Sequence, residues 1–478
     1  MKSFSRILGV LSLVAILPIS GQVHADTGSL EERLNDLEQQ VAILKRQIEV
    51  DKENTAAKAP EVPIVTASAK DGFSIKSPDD SYKLKIGGYI QADAREFADN
   101  RKEVNNVPVS GSSFLARRAR LIIQGTVARD FDFYLQPDFG YNNTYSTVSS
   151  TTTPSYGVTL QDAWVEYKYL PWAKIRGGKF KVPFDIENLQ DTKYTDFAEL
   201  GLTGNLSPQR DVGFQVSGSL LKDRLTYAVG IFGGAADHEN FNGSNNNNKS
   251  GVGRIFIQPF KGSDLSLLSG FGIGYAASYG KEKGTDLPTF ISPGQAPVFS
   301  YNSSGATAVS VAGPQLRGSP QFYYYYKSLG ILGEYVDSQE DLEYRNASHN
   351  LIHDKLENKA WQLAGTYVLT GEDASYSGVT PRHNFDISKG AWGAFELAGR
   401  YGQLAIDNKA FDDGFASLDS SISSERAWAT GLNWYLNNNV KLVFDFEQTK
   451  FRRGALNLRS TDDRKTENLF TGRFQLGF

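Results

Sequence analysis

Arg118 and Arg120 stand two residues apart in the run Phe114-Leu115-Ala116-Arg117-Arg118-Ala119-Arg120-Leu121. In an extended strand they project from one face, while Ala119, Leu121 and Ile123 take the other. Lys174 and Arg176 repeat that spacing, and Arg210, Arg400 and Arg473 each lie in a segment that reads as a strand. A guanidinium presents a planar fork of donors and meets an oxyanion bidentately, whereas an ammonium acts as a point charge. Rows of such groups facing water are how pores select anions. Each of them can equally pair with a carboxylate, and Glu166, Asp138 and Glu396 lie on segments of the same kind. Other chemistries are poorly served. With no cysteine there is no disulfide framework, thiolate metal site or cysteine nucleophile. His238, His349, His353 and His383 all fall in predicted connections, so a Ser–His pair on a strand is not expected. His349 and His353 are four apart, but no helix is expected there to bring them together on a metal. The glycines of Gly270-Phe271-Gly272-Ile273-Gly274 precede no helix, which removes a dinucleotide reading. Nothing in the sequence asks for a cofactor, and a formal charge of −4 gives no basis for binding nucleic acid.

The elements that must hold these residues are legible from the ends of the chain inwards. In the last ten residues Phe470, Phe474, Leu476 and Phe478 share one parity, and Thr471, Arg473 and Gln475 share the other. That is a period-two strand with one apolar and one polar face, ending on an aromatic. At the other end, Lys2 and Arg6 precede a mostly apolar stretch from Ile7 to Ile19, and Val23-His24-Ala25 is a small-residue exit. This reads as a secretory signal peptide cut after Ala25, which leaves a mature charge of −4 − 2 = −6. No later segment is apolar enough for a membrane helix, so a membrane location requires a closed barrel. The overall composition, 40% hydrophobic with Gly 46, Tyr 23 and Phe 29, suits strands whose faces alternate between lipid and water.

Between signal and strands lie two pieces. Leu30, Leu34, Leu37, Val41, Leu44 and Ile48 alternate in steps of four and three, which predicts a short coiled coil over 26–50. Val41 and Ile48 at one core position with Leu at the other favour two strands. Residues 51–72 have no periodicity and read as a linker.

From 73 to 478 the chain alternates strands and connections. Sixteen strands are expected, with cores at 82–94, 114–127, 131–139, 158–169, 172–183, 210–220, 224–233, 252–260, 270–280, 320–328, 330–338, 359–370, 391–405, 426–436, 439–451 and 466–478. Tight turns at Arg129-Asp130, Leu170-Pro171, Lys222-Asp223 and 437–439 alternate with long polar loops at 95–113, 140–157, 184–209, 234–251, 281–319, 339–358, 406–425 and 452–465. Segment 371–390 is long where a turn is expected. Short turns on one side and long loops on the other describe a transmembrane antiparallel β-barrel. Tyr167, Tyr169, Trp172, Trp361, Trp428 and Trp434 near strand ends suit its interfacial girdles. The polar set of each strand must then line the interior, which sixteen strands leave wide enough to hold water.

Several segments resemble the phosphate-selective porins, the porin O and P family. They are the arginine-bearing run at Phe114–Leu121, Asp130-Phe131-Asp132-Phe133, Gln136-Pro137-Asp138-Phe139-Gly140 and Gly178-Lys179-Phe180-Lys181-Val182-Pro183-Phe184. Arg210-Asp211-Val212-Gly213-Phe214-Gln215, Leu369-Thr370-Gly371-Glu372, Gly390-Ala391-Trp392-Gly393-Ala394-Phe395-Glu396 and Gly431-Leu432-Asn433-Trp434-Tyr435-Leu436 continue it. The resemblance covers about residue 70 to the end. It implies an outer-membrane homotrimer with a third loop folded into each pore and lumen arginines and lysines passing small anions such as phosphate. It also implies that the outer-membrane insertion machinery reads Phe478. Arg118, Arg120, Lys174, Arg176, Arg210, Arg400 and Arg473 are the expected anion contacts, with the coiled coil in the periplasm. The third loop, 184–209, has apolar anchors in Leu189, Phe197, Leu200 and Leu206 and should fold inward beside Arg118, Arg120, Lys174 and Arg210. It also carries Asp185, Glu187, Asp191, Asp196 and Glu199 against Lys193, which departs from a simple anion trap. A weakly selective porin, or a barrel anchoring a coiled-coil tether to the cell wall, are the alternatives.

Overall fold

Outward apolar and inward polar residues alternate along nearly every strand, and that alternation closes the sheet into a barrel. The structure, a computed structural model, describes residues 27–57, 62–68, 72–98, 112–140, 157–243, 247–285, 287–454 and 463–478. The predicted signal peptide lies outside the described residues. Two compact units divide at Val62/Pro63.

The first unit contains helix α1 (Thr27–Ala57). Its seam residues Leu34, Leu37, Val41, Leu44 and Ile48 are all exposed. The helix runs into the segment read as a linker, because Lys52, Glu53, Ala56 and Ala57 are good helix formers that continue it after the heptad pattern stops. The rest of that segment is not plain linker either. The strands β1 (Ile64–Ser68) and β2 (Gly72–Lys76) form a hairpin there, favoured by β-branched Ile64, Val65 and Thr66.

The barrel is made by sixteen antiparallel strands. Its first half comprises β3 (Lys83–Phe97), β4 (Ser113–Val127), β5 (Phe131–Asp138), β6 (Thr159–Tyr167), β7 (Lys174–Lys181), β8 (Arg210–Leu220), β9 (Leu225–Phe232) and β10 (Lys249–Ile257). After β11 (Phe271–Gly284), a small hairpin of β12 (Thr289–Ile291) and β13 (Pro297–Ser300) lies within a loop. The wall then continues with β14 (Ser310–Tyr326), β15 (Leu329–Arg345), β16 (Leu351–Val368), β17 (Ala394–Ala405), β18 (Ile422–Tyr435), β19 (Val440–Arg453) and β20 (Glu467–Gly477). Every predicted strand is present.

The barrel closes where β3 pairs with β20, from Leu469↔Phe97 to Gly477↔Tyr89. Below the end of β20, β2 takes over the same edge of β3, from Phe73↔Ile86 to Lys76↔Lys83. Gly88 and Phe478 exchange two backbone hydrogen bonds at the seam, each 3.0 Å. A Cβ on Gly88 would stand 2.3 Å from the Arg120 carbonyl oxygen and 2.9 Å from the Phe478 ring, so the close approach there needs glycine.

The outer wall carries the expected girdles. At the short-turn end Trp434 stacks on Phe395 at 5.3 Å and donates to the Trp392 carbonyl at 2.6 Å. Towards the long-loop end Trp361 meets Tyr401, and Trp428, Phe446 and Phe470 follow one another. Two predicted loops are corrected. Residues 339–358 are mostly strand, with only 346–350 left as a turn, because β15 and β16 continue as a ribbon whose outward residues turn polar (Asp337, Gln339, Asp341, Lys355, Lys359). Residues 310–319 likewise belong to β14, where Arg317 and Ser319 face inward. His353, expected in a connection, therefore lies on β16.

Candidate functional site

The third loop, 182–209, decides the shape of the lumen. Its apolar residues Phe197, Leu202 and Leu206 are at most 2% exposed, which pins the loop inside the barrel. Leu202 and Leu206 join an apolar cluster with Phe290, Phe299 and Tyr301 of the loop between β11 and β14, and with Ile406 and Phe415 after β17. The long connection at 369–393 meets the loop from the short-turn end. The Tyr376 hydroxyl donates to the Ile186 carbonyl, and Gln190 donates to the Tyr376 carbonyl at 2.7 Å. One side of the lumen is thereby filled.

The acidic residues of the loop explain its grip. Glu199 takes Arg117 Nε at 2.6 Å, Arg95 at 2.5 Å, Arg118 at 3.1 Å and Arg473 at 3.5 Å. Burial pushes the Glu199 carboxyl up, but the guanidiniums of Arg117, Arg118, Arg95 and Arg473 outweigh it and hold the group well below the usual carboxylate range. Glu187 receives Arg400 at 3.1 Å, the Gly201 backbone N–H at 2.9 Å and Gln362 at 2.8 Å. Asp185 caps the short helical turn that follows it by accepting from the Asn188 N–H at 2.7 Å. Glu187 and Glu199 are thus spent on the wall that holds the loop.

What stays open is a cavity of about 370 Å³ between the loop and β4–β10. Its lining includes five cations, Arg120, Arg176, Lys181, Arg210 and Arg254, against two carboxylates, Asp162 and Asp191. Arg210 is held by Asp162 at 3.1 Å and Arg120 by Asp138 at 2.7 Å. Arg176 reaches Glu166 at 2.7 Å and lies 3.9 Å from the Trp164 ring centroid, and Trp164 stacks on Tyr134. Asp138 and Glu166 do not line the cavity, so five cations against four carboxylates still leaves a positive balance when both are counted.

Lys181 and Arg254 have only neutral partners among the described residues: the Gln190 carbonyl at 2.6 Å and the Gln321 side chain at 2.8 Å. Arg210 and Arg254 line the cavity and are each tied through Nε, which leaves their terminal nitrogens without a hydrogen bond among the described residues. In this confined space two such forks and an ammonium can bind one oxyanion through charge-assisted hydrogen bonds.

Comparison with known proteins gives the architecture its place. The family model for phosphate-selective porin O and P matches residues 84–478, the whole barrel. The chain belongs to the phosphate-selective porin O and P family. It is 22% identical over 408 residues to porin O of Pseudomonas aeruginosa, covering 81% of this chain and 87% of that one. Among solved structures it is similar to the outer membrane channel DcaP of Acinetobacter baumannii, with TM-score 0.52, 10% identity, and coverage of 84% and 99%. An anion-selective porin from Comamonas acidovorans also matches, with TM-score 0.47, 10% identity, and coverage of 83% and 100%.

In this barrel of the porin O and P family the seven basic residues expected to contact anions divide into groups. Arg120, Arg176 and Arg210 line the cavity together. Arg118, Arg400 and Arg473 lie under the loop, bound to Glu199, to Glu187 and Glu447, and to Asp93 respectively. Lys174 stands at the short-turn end of β7 opposite Ser217, outside the cavity lining. Lys181 and Arg254 were not singled out by sequence. Arg254 shares its parity with Val252 and Phe256, whose apolar side chains also face inward, so no polar stripe marks it. Arg117 has the parity of the lipid face, yet meets Glu199. A β-bulge puts Gln91 opposite Arg118 and Ala92 opposite Ala116, which leaves Arg117 unpaired and turns it inward.

Proposed function

We propose that this porin passes small anions, phosphate or related oxyanions, by diffusion through the cavity beside the third loop. The observation that carries this reading is the cluster of Arg120, Arg176, Lys181, Arg210 and Arg254 in a narrow lumen whose other side is filled. A confined, low-dielectric passage strengthens each charge, so five local cations outweigh the acidic total of the chain. Bilayer recording tests it. In a potassium chloride gradient the reversal potential should have the sign of anion selectivity, and millimolar phosphate should reduce chloride current. A cation-selective channel with no phosphate block would return the protein to the general porins.

The same reading covers assembly. Residues 1–25 direct export, the insertion machinery reads Phe478, and three copies associate in outer-membrane lipid. The exposed seam of α1 is buried by copies of itself in a periplasmic coiled coil. Removing 26–60 should leave conduction intact. A tether would instead lose its role in the cell envelope while its barrel still conducted.

A further inference from the structure

The outer wall holds three cations that pair with nothing among the described residues. Arg426 on β18 lies directly opposite Lys450 on β19, and Arg452 follows two residues along the same face. All three are exposed, while their neighbours Glu425, Ala427, Thr449 and Phe451 face inward and are buried. Among the described residues no ion pair or hydrogen bond joins these side chains to another group. Like charges set directly opposite on a sheet destabilise it. Such a pair is tolerated when a counter-anion lies between them.

Position says what that anion is. Trp434 marks the girdle at the short-turn end and Trp428 the one towards the long loops. Arg426 lies eight residues from Trp434 along β18. At ~3.4 Å per residue and a tilt of ~40°, that is ~21 Å along the barrel axis, against an apolar band of ~25 Å. Outer-membrane barrels set their long loops outside the cell, so Arg426 and Lys450 stand at the outer border of the band, one step above Trp428, and Arg452 stands further out. The arrangement recurs on β10–β11, where Lys249 faces Lys281 two residues above exposed Tyr279.

We propose that Arg426, Lys450 and Arg452 bind the phosphate of an outer-leaflet lipid, the phosphorylated sugar headgroup of lipid A, whose acyl chains descend past Trp428. The site is on the lipid face and does not depend on which solute the lumen carries. Native mass spectrometry of the full chain in detergent tests it with lipid A and its dephosphorylated form. Wild type should hold lipid A and bind the dephosphorylated lipid weakly. Each cation lost should weaken lipid A binding roughly fivefold, and R426Q/K450Q/R452Q about a hundredfold. The charge-keeping variant R426K/K450R/R452K should retain it, and all variants should conduct as wild type, because none of the three side chains faces the lumen. Equal lipid A binding by the triple Gln variant would overturn the proposal. So would equal binding of the dephosphorylated lipid by wild type, a comparison that needs no variant to fold. Loss of association between copies with lipid binding unchanged would assign the patch to a protein contact and also overturn it.

Discussion

Glu199→Gln should unfasten the third loop without unfolding the barrel. Glu199 is 8% exposed and gathers four guanidiniums within 3.5 Å. Arg95 and Arg473 keep Asp93 after the substitution, but Arg117 and Arg118 lose their only carboxylate among the described residues. Leaving buried charge uncompensated costs about 3–5 kcal/mol. A difference of ~4 kcal/mol shifts the ratio of docked to released loop by about a thousandfold. Phe197, Leu202 and Leu206 still hold the loop's apolar side, so its polar edge by the arginines should move first. Single-channel recording should show a larger, noisier conductance. The reversal potential should move towards stronger anion selectivity, because one negative charge leaves the lumen. Glu199→Asp, which keeps the charge on a shorter stem, should lie between. Conductance, noise and reversal potential all equal to wild type in Glu199→Gln would refute the idea that this ion cluster holds the loop.

Two further outcomes follow from the same contacts. Burial pushes the Asp185 carboxyl up to about 6, opposed by the Asn188 N–H and reinforced by Glu187. A folded pKa above the unfolded value of ~3.9 means the anchor is complete below about pH 4 and weakens as pH rises to about 6. Channel noise should therefore grow between pH 4 and 6, and Asp185→Asn, which cannot ionise, should flatten the dependence; an identical noise–pH curve in that variant would contradict the anchor. Deleting Phe478 removes both backbone bonds to Gly88 as well as the terminal aromatic, so outer-membrane levels of the truncated chain should fall sharply on immunoblots of fractionated cells, and normal levels would contradict the seam's importance.

The barrel was legible because the signal repeats. Sixteen alternating segments and their turn residues each report the same architecture, and β8 runs from Arg210 to Leu220 as read. The site was legible only in part, because parity says which face a residue takes and not what that face meets. Arg118 and Arg120 share a face, yet one is clamped by Glu199 of the loop while the other is held by Asp138 and Tyr89 and lines the cavity. Arg117 escaped because a bulge breaks the period of two that the reading rests on. Loop acidity looked unfavourable for an anion path. Glu187 and Glu199 instead neutralise anchoring arginines and leave Lys181 and Arg254 without carboxylate partners among the described residues.

Arg210 and Arg254 decide the central claim. Both line the cavity, and neither forms an ion pair with the third loop among the described residues, so Arg210→Gln with Arg254→Gln removes positive charge while the anchors at Glu187 and Glu199 stay in place. The measurement is block of chloride current by phosphate in a planar bilayer, wild type against this double variant. Two charge-assisted contacts at ~1.5 kcal/mol each correspond to a phosphate affinity weaker by about a hundredfold, with the reversal potential moving towards cation selectivity. An unchanged phosphate block in the double variant would place the anion path elsewhere in the barrel.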